Sequence, residues 1–240
     1  MPYLDVSIHK KTMFNVFKKK ESKLKSPLSR KERSENRLAE LGITFNPNLP
    51  VTNESDSTAI RNSKEIASKI ISLWEVVNIA SKTKDSNRGE SIEFLKDVKL
   101  WGSLSTLDQE FLINEEHSKQ RIIDMTWRTE VLKVLYWSLN EIPSLDEPIE
   151  GGSLVSVSDR VLKNYPSLNS FLNKTKMRPQ KEILDESDFI YRLHWSSRQH
   201  RRKEQNVPSN YNYSIIKERD FALRWLTDSQ LNWDEITLDT

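Results

Sequence analysis

The chain has 240 residues, of which 36% are hydrophobic and 30% charged, with a formal net charge of +2. Seven Trp, eight Phe and six Tyr supply apolar surface for one sizeable core, which excludes a wholly disordered chain. Zero Cys excludes disulfides, thiolate zinc sites and cysteine nucleophiles, and no apolar run reaches the ~20 residues that span a bilayer.

The N-terminus lacks the apolar stretch of a secretory signal, so a cytoplasmic protein is expected. Charge is unevenly spread. Met1 to Arg37 holds eleven Lys or Arg against four acids, a net +7, which leaves −5 for the rest of the chain. That mildly acidic body makes nucleic acid an unexpected partner. Phe14 and Phe17 stand beside Lys18, Lys19 and Lys20. An apolar pair joined to a basic run can rest on an anionic membrane surface, each cation contributing ~1 kcal/mol. One helical turn makes that contact weak, and a solvated leader is the simpler expectation. The Pro-, Asn- and Ser-rich stretch from Asn46 to Ser57 reads as a linker. Residues 1–57 are therefore expected to form a basic leader, short helix and linker, and residues 58–240 one all-α domain.

Helical periodicity then dominates. A helix opened by Ser57 or Thr58 carries Ile66, Ala67, Ile70, Ile71, Trp74, Val77 and Ala80 at three- and four-residue steps. The next follows Gly89 with Ile92, Leu95 and Val98, ending near Gly102. Ser105 begins a short helix with Asp108, Glu110 and Phe111–Ile113. Ser118 opens the longest apolar stripe, which runs to about Ile142 before Pro143 stops it. Its breadth implies contact on more than one side. After Gly151 and Gly152, Leu154–Val157 suits a turn into a helix capped by Ser158 and Asp159. Pro166 starts a short helix through Leu172, and Pro179 suits the first turn of a long one from about Gln180 to Arg202. A last helix spans roughly Ser214 to Leu226. Five Gly in the whole chain argue against a hairpin-rich sheet, so the expected fold is an all-α, single multi-helix bundle-like domain behind the leader.

With the helices placed, a family resemblance emerges. Gln120-x-Ile122-x-Asp124-x-x-Trp127-Arg128-x-Glu130, followed by Leu135-Tyr136-Trp137-x-Leu139, resembles the central signature of the bacterial family called domain of unknown function 4272. So does Met177-Arg178-Pro179-x-x-Glu182-Ile183-Leu184-Asp185-x-x-Asp188-x-x-Tyr191-Arg192-x-His194-Trp195. A third block is Glu218-Arg219-x-x-Ala222-Leu223-x-Trp225-Leu226-Thr227, closing with Trp233-Asp234. The resemblance covers about Arg61 to Thr240. It implies a predominantly helical fold and carries over no activity, cofactor or catalytic residue.

Two readings of the charged residues follow. Asp124 with Arg128, and Asp188 with Arg192, stand four apart and can bridge along a helix. Beside heavily apolar faces, Arg128, Arg192 and Arg219 need carboxylate partners such as Glu130, Asp185, Glu218 or Asp239. The simpler reading is a structural ion-pair network. The functional reading is an anion or carboxylate pocket from Arg128, Glu130, Arg192, His194, Trp195 and Arg219. His194 lacks an orienting carboxylate on its own helix face, which favours a structural histidine. Glu115-Glu116-His117 lacks a second His at ligand spacing, so no metal site is expected. Glu182, Asp185 and Asp188 lack a partner Glu-x-x-His, and the run from His200 to Lys203 complements its helix dipole. No Gly-rich phosphate loop, G-x-S-x-G or HExxH points to a cofactor or catalytic class. The expected function is that of a protein-interaction or accessory module, with another protein as partner; the alternative is an enzyme or small-ligand binder.

Overall fold

Every helix must satisfy the first N–H groups that have no partner within it, and a capping side chain marks the start of each described α-helix except the one that follows Pro179. The computed structural model describes residues 26–52, 59–81, 87–151, 164–207 and 210–238. Among the described residues the α-helices are α1 (Pro27–Glu40), α2 (Ser63–Ala80), α3 (Arg88–Asp97), α4 (Thr106–Ile113), α5 (Lys119–Ser138), α6 (Leu168–Lys174), α7 (Gln180–Arg202) and α8 (Tyr213–Thr227). Two 3-10 turns, Trp101–Ser103 and Trp233–Glu235, complete the elements, and no strand is present among the described residues. The fold is all-α. The helix expected after Ser158 lies outside the described residues, as do Phe14, Phe17, Lys18, Lys19 and Lys20.

Two boundaries differ from the sequence expectation for local reasons. Helix α2 starts at Ser63 because Asn62 and Glu65 form a capping box: each side chain accepts the other residue's backbone N–H, at 3.0 and 2.9 Å. Helix α5 stops at Ser138, ahead of Pro143. Asn140 takes a left-handed φ of 60°, and its N–H and that of Glu141 close back on the Trp137 and Tyr136 carbonyls, both at 3.0 Å. That is a Schellman ending with Asn in the position glycine usually fills.

Packing runs as a series. Helix α1 lies on α7, α7 on α8, α8 on α5 and α5 on α2, while α4 and α6 cover other parts of α2. Helix α5 sits inside, and every residue from Glu130 to Ser138 is buried, as its broad apolar stripe requires. Leu132 and Leu135 meet a core that includes Ile66, Ile70 and Leu73 of α2, Ile190 and Leu193 of α7, and Leu223 of α8. No described helix is long and apolar enough to cross a membrane.

Helix α1, which composition places in the basic leader, docks on the bundle. Leu38 is fully buried, and the Arg37 guanidinium lies 3.5 Å from the centre of the Phe189 ring. Arg33 donates to Asp185 at 2.5 Å and Arg37 to Glu186 at 3.1 Å. The contact uses arginine stems and ion pairs more than apolar side chains, so the segment looks like a solvated charge run in sequence. Leu38→Ala is expected to destabilise the chain by about 2–5 kcal/mol within one cooperative urea transition. A change below ~0.5 kcal/mol would show that α1 contributes nothing to that unit.

Candidate functional site

The charged residues singled out by sequence fall into separate, mostly matched sets. Arg192 is fully buried and donates Nε and Nη2 to Asp188 on the same helix, at 2.9 and 3.0 Å. Its Nη2 also reaches the Pro50 carbonyl at 3.0 Å, while Thr52 donates to Asp188 at 2.8 Å. This set ties the 46–52 segment to α7. Arg219, 1% exposed, forks onto Glu130 Oε2 with Nε and Nη2 at 3.1 and 3.0 Å, joining α8 to α5. Its Nη1 donates to the Asp146 carbonyl at 2.5 Å. Asp124 pairs with Gln120, and Arg128 reaches instead to Glu218 on α8, at 3.2 Å. Burial pushes the Glu218 carboxyl above its ordinary pKa, and the Arg128 guanidinium opposes that shift.

His194 does have an orienting carboxylate, supplied by another helix. Its Nδ1 lies 2.7 Å from Asp220, which Arg224 also grips at 3.1 and 3.2 Å. The nearby Tyr213 hydroxyl is 3.4 Å from Nε2. Trp195 is half-buried on the same helix. Arg128, Arg192 and Arg219 thus face three different carboxylate sets and do not converge on one pocket.

A cleft of about 770 Å³ opens elsewhere, between the start of α2, the turn at residues 99–105 and the C-terminal segment. Arg61 closes one end: its Nε donates to the Trp225 carbonyl at 3.0 Å, and Nη2 bonds the Leu231 carbonyl. The Arg61 N–H also bonds the Leu226 carbonyl at 3.0 Å, holding residues 226–235 against α2. Trp225 and Trp233 stand edge to face as its aromatic wall, ring centres 5.3 Å apart.

Lys69 lies at the base, only 4% exposed. Its Nζ donates to the Ser103 carbonyl and sits 4.2 Å from the centre of the Trp233 ring. Burial pushes its pKa down from 10.5 to about 8; Asp108 and Asp234 pull it up, while Arg128 and Arg61 push it down. Behind Lys69 the matching of charges fails. Asp108 is fully buried, yet neither carboxylate oxygen receives a hydrogen bond. Its closest cation is Arg128, Nε at 3.7 Å, and Arg128 Nε and Trp233 Nε1 are themselves without an acceptor.

The acids lining the cleft are occupied. Asp234 accepts from both the N–H and the hydroxyl of Thr106, each at 3.0 Å, and so caps α4. Glu65 and Glu235 each accept a backbone N–H at 2.9 Å, from Asn62 and Asn232. Lys64 and Lys99 are exposed at the rim. Chemically, the cleft offers ammonium donors and aromatic faces beside acids that each already accept a backbone N–H.

Sequence reading passed over Lys69, Asp108 and Trp233 as a group. Lys69 interrupts the apolar run Ile66–Ile71, a cue that it is drawn inward; Asp108 resembles an ordinary first-turn acid three residues after the Ser105 cap. Nothing in local spacing joins either to Trp233.

Arg219→Ala, which strands Glu130, is expected to cost about 3–5 kcal/mol by denaturant unfolding; a loss within ~0.5 kcal/mol would contradict the buried-pair account. Lys69 gives a pH signature. Its folded pKa of about 8 lies below 10.5, so the unfolded chain binds more protons between those values. Stability of the wild type relative to Lys69→Met should therefore rise as pH climbs from about 8 to 10.5, by on the order of 3 kcal/mol. A flat difference would show that the ammonium is well solvated.

No curated relative and no solved structure matches the chain. A family model, domain of unknown function (DUF4272), matches residues 30–236. The match begins further back than Arg61 and takes in most of α1. Matched over most of its length by that model, the chain belongs to the DUF4272 family.

Proposed function

We propose that the protein is a cytoplasmic binding module for a small anionic ligand, a carboxylate carrying an apolar body, seated in the cleft over Lys69. One observation carries this reading. A buried ammonium lines an open cleft with a neutral carbonyl as its hydrogen-bond acceptor and forms no ion pair among the described residues, although Asp108 lies behind it and Asp234, Glu65 and Glu235 each accept a backbone N–H nearby. An ammonium out of water gains most from an anion that arrives with its own negative charge, because the local dielectric is low. Trp225 and Trp233 supply apolar faces for the remainder of the ligand. A volume of about 770 Å³ suits a small organic molecule, for which clefts of roughly 300–1,000 Å³ are usual.

The reading moves the ligand away from the Arg128–Arg192–Arg219 set. Arg192 and Arg219 each fork onto a buried carboxylate, and Arg128 lies between Glu218, to which it donates, and Asp108 at 3.7 Å. A guanidinium already matched in this way gains little from a second anion.

Native mass spectrometry of the chain captured gently from its host lysate tests the proposal. A small acid should be retained by wild type and lost from a Lys69→Met variant that still unfolds cooperatively. A co-purifying protein, with no small molecule on either form, would assign an accessory role through protein contact instead.

A further inference from the structure

Resting on the reading of the cleft as an anion site, we infer that its ligand is a small oxo-acid, an aldehyde or ketone bearing a carboxylate, captured as an imine on Lys69 Nζ. Three features of the cleft point there. The ammonium of a lysine that merely covers apolar surface snorkels into water; Lys69 is 4% exposed and ends against the Trp233 face and the Ser103 carbonyl. It forms no ion pair among the described residues, unlike Lys133, whose Nζ lies 3.5 Å from Glu130, or Lys181, at 2.6 Å from Asp185. Lastly, exposed Lys64 and Lys99 stand at the rim of the same cleft, able to hold a carboxylate while the carbonyl end goes inward.

An amine held out of water, close to other cations, is the environment that turns lysine into a nucleophile toward carbonyl groups. Here burial supplies the lowering; Arg128 and Arg61 add to it, and Asp108 and Asp234 oppose it by somewhat more. The step balances without a further reagent. Neutral Nζ adds to the carbonyl carbon to give a carbinolamine. Its oxygen then leaves as water with both amine hydrogens, and C=N replaces C=O. No oxidant or reductant takes part, and the step reverses by hydrolysis.

The test uses the whole 240-residue chain, a limiting amount of glyoxylate, and cyanoborohydride at pH 7, followed by peptide mapping. Lys69 is expected to be alkylated about tenfold or more faster than exposed Lys64 and Lys99, because burial against Trp233 favours its neutral amine. Alkylation that tracks exposure and spares Lys69 overturns the proposal. Two further arms separate it from the anion reading. With propanal, which has no carboxylate, the Lys64→Gln/Lys99→Gln variant should label Lys69 as wild type does, whereas with glyoxylate it should label Lys69 several-fold more slowly. If Lys69 is labelled equally by both reagents and benzoate does not protect it, the anion reading falls, and the oxo-acid with it. If benzoate quenches the tryptophan fluorescence saturably but Lys69 is never trapped, the imine alone falls.

Discussion

Arg219 and Glu130 form the contact on which the remaining geometry depends. Both side chains are almost fully buried where α8 crosses α5, and the guanidinium forks onto one carboxylate oxygen. Taking two charges out of water is expensive, and only a tightly held geometry offsets that penalty. Sliding α8 along α5 by one residue would break the fork, so the pair admits one register. Lys133 adds to it from the next turn of α5, its Nζ at 3.5 Å from Glu130. That register places Glu218, one residue before Arg219, opposite Arg128, two residues before Glu130. Arg128 in turn approaches Asp108 on α4. From the same helix α8, Trp225 meets Arg61 and Trp233, which form the far side of the cleft.

Unmatched polar groups gather beside the cleft. At the α5–α8 and α1–α7 seams the buried carboxylates Glu130 and Asp188 both meet a guanidinium fork. Near Lys69 the arrangement differs: a buried amine bonded to a neutral carbonyl, a buried acid with two oxygens lacking donors, and an indole N–H without an acceptor. Unmatched polar groups cost stability, of order 1–3 kcal/mol each when fully buried. At the α1–α7 seam Arg192 Nη1 and Glu35 Oε1 also lack hydrogen-bond partners, 3.6 Å apart; the group beside Lys69 differs in that it borders an open cleft.

The α-helical plan was largely legible in sequence, because apolar steps of three and four residues reflect which face of each helix is buried. The long helices α5, α7 and α8 lie close to where their stripes place them. Boundaries set by side-chain capping were less visible: the Asn62–Glu65 box and the left-handed Asn140 act through backbone geometry, which composition does not encode. Composition places α1 in the basic leader, as its short helix, and the docking face is hard to see there because it is rich in arginine. The arginine residues were legible as a set that needs partners, but their partners, Asp188 excepted, come from other helices. Lys69, Asp108 and Trp233 are brought together only by the fold, across some 164 positions of chain. No period or motif can express such a distance.

The most direct measurement is the titration of Lys69 by NMR on the chain carrying lysine labelled with carbon-13 at Cε, with Lys69→Arg to assign the signal. The account predicts a pKa of about 8 in the free protein, and an upward shift when a carboxylate that binds the cleft saturates it, because the anion stabilises the ammonium. A value near the ordinary 10.5, unmoved by added carboxylates, would show Lys69 to be solvated and uninvolved, and would contradict the account at its centre.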